Sequence, residues 1–258
     1  MKKRENLMLT GLIAVTLILG HTLLVWAQDH EGSPHIQLDV AQESQSSEPD
    51  HHALVHPFLT HMGLPDGPGE SSFRGNFLRQ VEDGVSQGDF GFHIEAGVAD
   101  GIGIHLRNDA VSANARTELM VQAAVWRDST NLSGIAVFGE AEFATGATAE
   151  RRITWLYGIS GRWVMLPILS LDADIHHNPL DSMVEWETAA VYRLTETLFP
   201  ILEIRGESGN STSIVNMLTA LKIKTAENMA IGIGIQYPMS TTKEFDSQLL
   251  IQVDMGFH

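Results

Sequence analysis

The sequence predicts an all-β fold, a transmembrane antiparallel up-and-down β-barrel of about 12 strands that follows a disordered N-terminal arm. Three observations lead to this prediction: a leader-like N-terminus, a long series of apolar–polar alternations, and connections that tend to alternate between long and short. An alternation of period two places one kind of side chain on each face of a strand. A membrane barrel turns its apolar face to lipid and its polar face to a lumen.

The first 27 residues are organised like a secretory signal peptide. Basic residues at positions 2–4 precede an apolar run that begins at Leu7, and the small-residue pattern "VWA" ends it. We expect cleavage after Ala27, which implies export. The apolar run is long, so an uncleaved membrane anchor is the alternative. No other stretch offers the roughly 20 predominantly apolar residues that a membrane-spanning helix needs.

Residues 28–70 form the predicted flexible periplasmic arm. They are rich in Ser, Glu, Gln, Pro and His, and they show little periodicity. Six of the 12 histidines in the chain fall here, and His52 and His56 have the spacing of one helical face. Imidazole binds zinc, copper and nickel, so the arm is a candidate site for a divalent transition metal. The alternative is a solvated linker. The candidate metal ligands are His51, His52, His56 and His61.

Residues 71–258 form the predicted barrel, with a series of runs that alternate in polarity. In "DFGFHIEAGVA" the apolar side chains of Phe90, Phe92 and Ile94 share one face, and Asp100-Gly101 after this run is a hairpin signal. The last run, "SQLLIQVDMGF", alternates up to Phe257. Membrane barrels close by pairing the last strand with the first, and a terminal aromatic is the feature that the outer-membrane assembly machinery reads. Phe257 is followed by one further residue, which departs from the usual terminal Phe.

The polar face of these runs carries both signs of charge, which a transmembrane barrel turns inward and a soluble sandwich shows to water. Opposed rows of charge across a lumen select solutes by size and polarity. The predicted lumen-lining residues are Glu95, His105, Arg107, Glu140, Glu142, Arg162, Asp172, Asp174, Glu185, Glu187, Arg193, Glu203, Arg205, Lys222, Lys224 and Asp254.

The lengths of the predicted connections favour the outer membrane over a soluble periplasmic β-protein. The gaps after odd-numbered strands are predicted at 84–88, 108–116, 145–150, 177–182, 207–213 and 238–243. They tend to be longer than the gaps after even-numbered strands, as in bacterial outer-membrane barrels, where external loops are long and periplasmic turns short. An even strand number then puts both chain ends in the periplasm. A soluble β-protein, the alternative, predicts release without detergent.

Composition excludes several functions. The formal net charge of -16 argues against nucleic acid as a partner, because a phosphate backbone would be repelled. Cys is absent, which excludes a disulfide framework and Cys-based zinc or redox sites. No arrangement of Ser, His and acid residues has the spacing of a hydrolase, and "GISGR" lacks the nucleophile-elbow pattern. We therefore expect no enzymatic activity and no bound cofactor apart from the metal considered above.

The last third of the chain carries a resemblance. The segments "YRLT", "AIGIGIQYP" and "EFDSQLL" follow one another between residues 189 and 257. In these motifs the chain resembles the outer-membrane barrels of the meta-pathway phenol-degradation family, also described as transporters. The resemblance implies a barrel that passes small molecules, with hydrophobic or aromatic solutes as one class. It implies no catalytic residues, and upstream strands match only in style.

These observations lead to two hypotheses about function. The first is an outer-membrane channel or uptake component for a small-molecule solute, embedded in outer-membrane lipid. The second is a metal-binding or partner-docking protein that acts through the His-rich arm, with the barrel as its anchor. Removing residues 28–70 separates them, because loss of metal binding with conductance intact would support the second.

Overall fold

The structure, a computed structural model, describes residues 55–61, 63–112, 115–130, 132–180, 182–209 and 212–257, with Thr212 described by its backbone alone. The predicted signal peptide and residues 28–54 of the predicted arm lie outside the described residues. No helix among the described residues is long and apolar enough to cross a membrane.

The described chain forms twelve strands that follow one another in sequence around a closed barrel. All neighbouring pairs are antiparallel, and β1 pairs with β12 from Ser71 opposite Phe257 to Val81 opposite Ser247. The predicted twelve-stranded antiparallel barrel is thus confirmed. The strands are β1 (Ser71–Glu82), β2 (Val85–Ala99), β3 (Ile102–Asn108), β4 (Arg116–Arg127), β5 (Gly134–Ala144), β6 (Thr154–Leu166), β7 (Leu169–Asn178), β8 (Met183–Tyr192), β9 (Leu198–Gly209), β10 (Thr212–Ala226), β11 (Met229–Pro238) and β12 (Ser247–Phe257).

Two of the predicted long connections are short in the structure. The β1–β2 hairpin turns on Asp83 and Gly84, whose φ angles of 48° and 78° match the two-residue turns that fit the twist of a hairpin. Likewise, β9 ends at Gly209 and β10 begins at Thr212. The prediction was wrong here because the strands continue as polar ladders beyond their apolar stretch. Polar sequence on both faces looks like a loop, although the backbone pairs as a strand.

Backbone irregularities gather at one end of the barrel. The register shifts once between Gly97 and Ala99, and again at the ends of β4, β6 and β10. Each shift precedes the connection that leads from an even-numbered strand to the next one. This end also carries the start of β1 and the end of β12, and we call it the terminus end. Bulges at a barrel rim bend the strand and increase its twist, which helps the sheet to close.

The outer face of the barrel is an apolar belt. Side chains such as Phe90, Val137, Ile159 and Ile233 are about half exposed and lie at alternate positions of their strands, at 49%, 42%, 52% and 53%. A continuous surface of this kind is the one that a lipid bilayer solvates. Large aromatic side chains are exposed near strand ends, where membrane barrels carry interfacial girdles: Trp126, Trp155, Trp163 and Tyr192.

Candidate functional site: the barrel lumen

The inner face of the barrel is polar and buried. Along β7, Ser170, Asp172, Asp174 and His176 are buried, whereas Ile175 between them is half exposed on the outside. Buried polar groups require partners, since an unpaired one costs about 1–3 kcal/mol. Many of the hydrogen-bond partners of these inner side chains belong to a part of the chain that precedes β1.

Residues 55–61 and 63–67, which we call the inner segment, lie inside the lumen. The carboxylate of Glu203 on β9 accepts hydrogen bonds from the backbone N–H groups of Phe58, Leu59 and Thr60, the last two at 2.9 and 3.2 Å. It also accepts one from the Thr60 hydroxyl at 3.3 Å. One buried side chain therefore holds three consecutive amides of the inner segment.

Lys222, whose charge is opposite to that of Glu203, binds the neighbouring carbonyl groups of the inner segment. The ammonium group of Lys222 on β10, which is fully buried, donates to the carbonyl oxygens of His56 at 2.7 Å and Pro57 at 3.1 Å. It also pairs with Asp254 on β12 at 2.6 Å. Its nitrogen lies 4.9 Å from the centre of the Phe58 ring, within the range of a cation–π contact.

The second half of the inner segment contacts other strands. The N–H of Gly63 donates to Asp172 at 3.2 Å, and its carbonyl accepts from the Ser160 hydroxyl at 3.2 Å. Arg127 donates to the carbonyl of Pro65 at 3.0 Å. Altogether, side chains from eight strands hydrogen-bond to the inner segment: Arg74, Arg107, Arg127, Ser160, Asp172, Glu203, Lys222 and Gln252.

An apolar cluster adds packing to these hydrogen bonds. Phe58 is buried against side chains of β8, β9, β10 and β12, among them Phe199, Leu218 and Leu250. Its ring fits because position 232 is a glycine, and a Cβ there would fall onto ring carbons of Phe58. Gly232 lies on the inner face of its strand, between the outward-facing Ile231 and Ile233. The structure gives the reason for a small residue there, since the space belongs to Phe58.

Arginine–carboxylate pairs line the rest of the lumen. Arg162 pairs with Asp172 at 2.8 Å, and Arg205 pairs with Glu187 at 3.2 Å. Arg107 pairs at 2.7 Å with Asp109, a residue just beyond β3. In each of these three pairs a positive and a negative side chain lie next to each other.

Cavities remain on both sides of the inner segment. One of about 160 Å³ lies toward the terminus end and is lined by His56, Arg74, Arg162 and Lys224, among others. Another of about 110 Å³ lies toward the opposite end, beside Glu185, Glu207 and Gln248. Each is large enough for a few water molecules, and the inner segment lies between them.

The structure places the sequence-predicted lumen residues as follows. Those on strands occupy the inward-facing positions, and Glu95, His105, Glu203 and Lys222 are among the most buried. Arg193 lies just past the end of β8, in the connection to β9. The inward-facing strand positions are Glu95, His105, Arg107, Glu140, Glu142, Arg162, Asp172, Asp174, Glu185, Glu187, Glu203, Arg205, Lys222, Lys224 and Asp254.

The structure departs from the prediction at the C-terminal end of the predicted arm. His51 and His52 lie outside the described residues, but His56 and His61 lie in the lumen, His61 buried to 3% exposure. Residues 55–70 were predicted to belong to a flexible periplasmic arm. The described residues 55–61 and 63–67 lie in the lumen instead, where backbone amides and carbonyls of this stretch pair with buried charges of the wall. His61, one of the predicted metal ligands, therefore lies inside the barrel and not on a periplasmic arm.

The predicted set of lumen residues lacks Arg74, His93 and Arg127, and it also lacks the uncharged polar side chains of the inner face. Gln252 bridges the Phe58 carbonyl at 2.9 Å and Asn76 at 2.6 Å. Gln122 donates to Ser160 at 2.8 Å. The signal that identifies them is the parity of the strand, since Gln252 alternates with Ile251 and Val253 as the charged residues do with their apolar neighbours.

Comparison with known proteins identifies the fold. No family model matches the sequence, and no curated protein matches it. Among solved structures, the chain is similar to the KdgM porin with a TM-score of 0.56 at 13% identity, over 72% of this chain and 99% of that one. The chain has the fold of an outer-membrane porin.

Two further structures support this assignment of the fold. The NanC porin matches with a TM-score of 0.52 at 9% identity, over 73% of this chain and 99% of the porin. An outer-membrane channel from Pseudomonas putida F1 matches with a TM-score of 0.53 at 8% identity, over 79% of this chain and all of the channel, 100%.

Proposed function

We propose that the protein is an outer-membrane channel for small solutes whose lumen is occupied at rest by its own inner segment. The observation that carries the proposal is the set of hydrogen bonds from eight strands to residues 55–67. The porin fold and the apolar belt support a place in outer-membrane lipid. The N-terminus and the terminus end face the periplasm in this proposal, and the assembly machinery inserts the barrel after reading its last strand.

The solute class follows from the wall and from the resemblance. Paired charges such as Arg162–Asp172 suit polar groups, whereas the apolar cluster around Phe58 suits an aromatic or aliphatic group. We therefore propose small molecules that carry both kinds of group, which includes the aromatic molecules implied by the phenol-degradation family. One structure of KdgM contains disordered oligogalacturonate, which shows a sugar ligand for that porin.

Planar-bilayer conductance tests the proposal. The folded full chain is expected to show rare or no openings, because the inner segment occupies the lumen. Glu203→Ala removes the acceptor for the amides of Phe58, Leu59 and Thr60, so openings should become at least about tenfold more frequent if the lost hydrogen bonds together contribute about 1.5 kcal/mol or more. A chain without residues 28–67 should conduct steadily.

Glu207→Ala is the matched control, since Glu207 lies on the same face of β9 but lines the cavity toward the opposite end. It should leave the opening frequency unchanged. If the chain without residues 28–67 folds, as shown by heat-modifiable electrophoretic mobility, and still shows no conductance, the channel proposal is wrong.

An anchor is the second candidate function, and the density of contacts to the inner segment favours it over a freely mobile gate. In this reading the barrel is a filled scaffold that presents residues 28–54 to a metal or a protein partner. The Glu203→Ala recording separates the two candidates, because an anchor whose segment stays in place remains silent in that variant. The proposed arm ligands His51 and His52 would then carry the activity.

A further inference from the structure

A cluster of histidines is buried where β2, β3 and β7 meet the inner segment. The rings of His61 and His93 lie 6.0 Å apart between centres, and those of His93 and His105 lie 5.5 Å apart. His93 and Glu95 share the inner face of β2, and His105 on β3 lies directly opposite Glu95 in the register of the two strands. The topology thus brings two imidazoles and one carboxylate together at a fixed spacing.

Each of these three side chains is buried and carries one polar atom without a hydrogen-bond partner in the described part of the chain. His93, Glu95 and His105 are exposed by only 5%, 2% and 2%. Among the described residues, Nε2 of His93, Nδ1 of His105 and Oε2 of Glu95 form no hydrogen bond. Buried atoms of this kind are normally satisfied by protein, water or an ion, and each such exception requires an explanation.

The distances between the ligand atoms fit a bound ion better than hydrogen bonds. Oε1 of Glu95 lies 3.3 Å from Nε2 of His93 and 3.6 Å from Nδ1 of His105. Hydrogen bonds between such groups are shorter, at about 2.7–3.2 Å. Ligands about 2.0–2.1 Å from a tetrahedral zinc ion are separated by roughly 3.3–3.4 Å along each edge. The observed spacing is thus close to that of two edges of a zinc tetrahedron.

We infer that His93, Glu95 and His105 form a binding site for a first-row divalent transition metal ion inside the lumen. Two imidazole nitrogens and a carboxylate oxygen suit zinc, cobalt, nickel or copper, whereas magnesium and calcium prefer all-oxygen sites. The other carboxylate oxygen of Glu95 faces Nδ1 of His56 on the inner segment at 3.8 Å. The site therefore lies in direct contact with the segment that occupies the lumen.

Arg74 competes with the ion for the same two side chains. Its Nη2 contacts both Nδ1 of His93 and Oε1 of Glu95, and its Nη1 lies 3.4 Å from the carbonyl of Pro57. A histidine that binds metal through Nε2 keeps its proton on Nδ1, so it cannot accept from Arg74 at the same time. Metal binding must displace the guanidinium from His93. Arg74 variants consequently distinguish a metal site from an ion-pair network.

A second grouping nearby is less suited to an ion. Nδ1 of His61 lies 4.0 Å from Asp174 and 3.9 Å from Glu187, which is wider than the edge of a metal tetrahedron. Nε2 of His61 also lies 3.0 Å from a guanidinium nitrogen of Arg107. That contact puts the ring proton on Nδ1, the nitrogen that faces the two carboxylates. The three side chains on β2 and β3 are therefore the better fit to a metal ion.

The test uses the full chain with the arm histidines replaced by glutamine, so that binding by the arm does not contribute: His30, His35, His51 and His52. Cobalt is titrated into the folded protein, its absorption bands report the coordination, and zinc is then added to displace it. We expect one equivalent of metal per barrel. His93→Gln, Glu95→Gln and His105→Gln should each weaken binding by at least about tenfold, because losing a ligand costs no less than losing the residue that orients it.

Two further variants test whether the bound metal occupies this site. Arg74→Met should bind metal at least as tightly as the parent, since the competing guanidinium is gone. His177→Gln is the matched control, because its ring lies on the same strand as His176 but its Nδ1 contacts the carbonyl of Met183 at 2.9 Å; it should bind as the parent does. Heat-modifiable mobility checks that each variant is folded.

Two results would overturn the inference. One is the absence of metal binding once the arm histidines are replaced, which would assign any binding in the native chain to the arm. The other is undiminished binding in folded His93→Gln and His105→Gln variants, which would place the ion elsewhere. Because binding is read from absorption, a silent channel in bilayer recordings would leave this inference standing and would contradict only the proposed function.

Discussion

The two faces of β11 show how differently the outside and the inside of this barrel are built. Ile231, Ile233 and Ile235 point outward and are 40%, 53% and 51% exposed. Between them, Gly232 and Gly234 point inward and are buried. Each outer isoleucine has the same kind of apolar surroundings, so its contribution to stability depends on its own side chain and on its depth in the apolar belt. The need for glycine on the inner face depends on other parts of the chain. At position 232, the ring of Phe58 occupies the space that a side chain would need.

Because the two faces differ in this way, we expect substitutions on them to differ in their effect on stability. An outer side chain that is replaced leaves its neighbours much as they were. An inner side chain such as Lys222 holds the carboxylate of Asp254 and two carbonyls of the inner segment, so its loss leaves several buried groups without a partner. Coupled effects of that kind do not add, and double variants are needed to separate them.

Lys222→Met is expected to have the largest effect on stability. It leaves the Asp254 carboxylate buried without its cation, and removing one partner of a buried pair costs about 3–5 kcal/mol. The free energy of unfolding, measured by urea titration in lipid vesicles, should fall by about that amount.

The double variant Lys222→Met with Asp254→Asn should recover a large part of the loss, because the uncompensated charge is gone. Lys224→Met, two residues further along the same inner face and beside the cavity at the terminus end, is the matched control and should cost much less. Equal losses in the two single variants would contradict the role given to Lys222.

Ile233→Arg tests the outer face and should come second. An arginine in the middle of the apolar belt costs about 2–4 kcal/mol in a lipid bilayer, falling to about 0–1 kcal/mol near the interfaces. Met239→Arg, just beyond the end of the same strand and exposed to a similar extent (56% against 53%), is the matched control and should cost little. Unfolding in vesicles measures both. If the two substitutions cost the same, the belt does not face lipid.

The contrast between the faces also explains which features the sequence could predict. Strand number, antiparallel order and the inward position of charges such as Asp172 all follow from a local rule, the period of two. The partners of those charges do not, because the residues that meet are far apart in sequence, 32 positions for Lys222 and Asp254 and 144 for Leu59 and Glu203.

The inner segment is the clearest case of this limit. Residues 55–67 have no strand or helix period, so the sequence alone treats them as solvated chain. Residues 55–61 and 63–67 are ordered by buried charges on distant strands that need backbone donors and acceptors. The opposite error affected the β1–β2 connection, where polar residues after Asp83 suggested a loop, although they continue the ladder from Val85.

The smallest effect is expected at the connection between β11 and β12, where Lys243 and Asp246 form an ion pair. Their side chains are 49% and 37% exposed, and such pairs contribute little because water screens them. The hydrogen bond from Lys243 lowers the pKa of Asp246 below its ordinary value. A lowered folded-state pKa stabilises the fold above the unfolded value, about 3.9, and that stabilisation is lost as the pH falls.

Lys243→Ala should therefore leave the midpoint of urea unfolding unchanged within error at pH 7, and it should abolish only a slight loss of stability between about pH 5 and pH 3. The hydrogen bond from the Asp246 amide to the Val81 carbonyl, at 2.7 Å, remains in the variant and keeps the connection joined to β1. A decrease comparable to that of Lys222→Met would mean that this exposed pair shares the coupling of the lumen, and would remove the distinction between the solvent-facing and inner groups of the barrel.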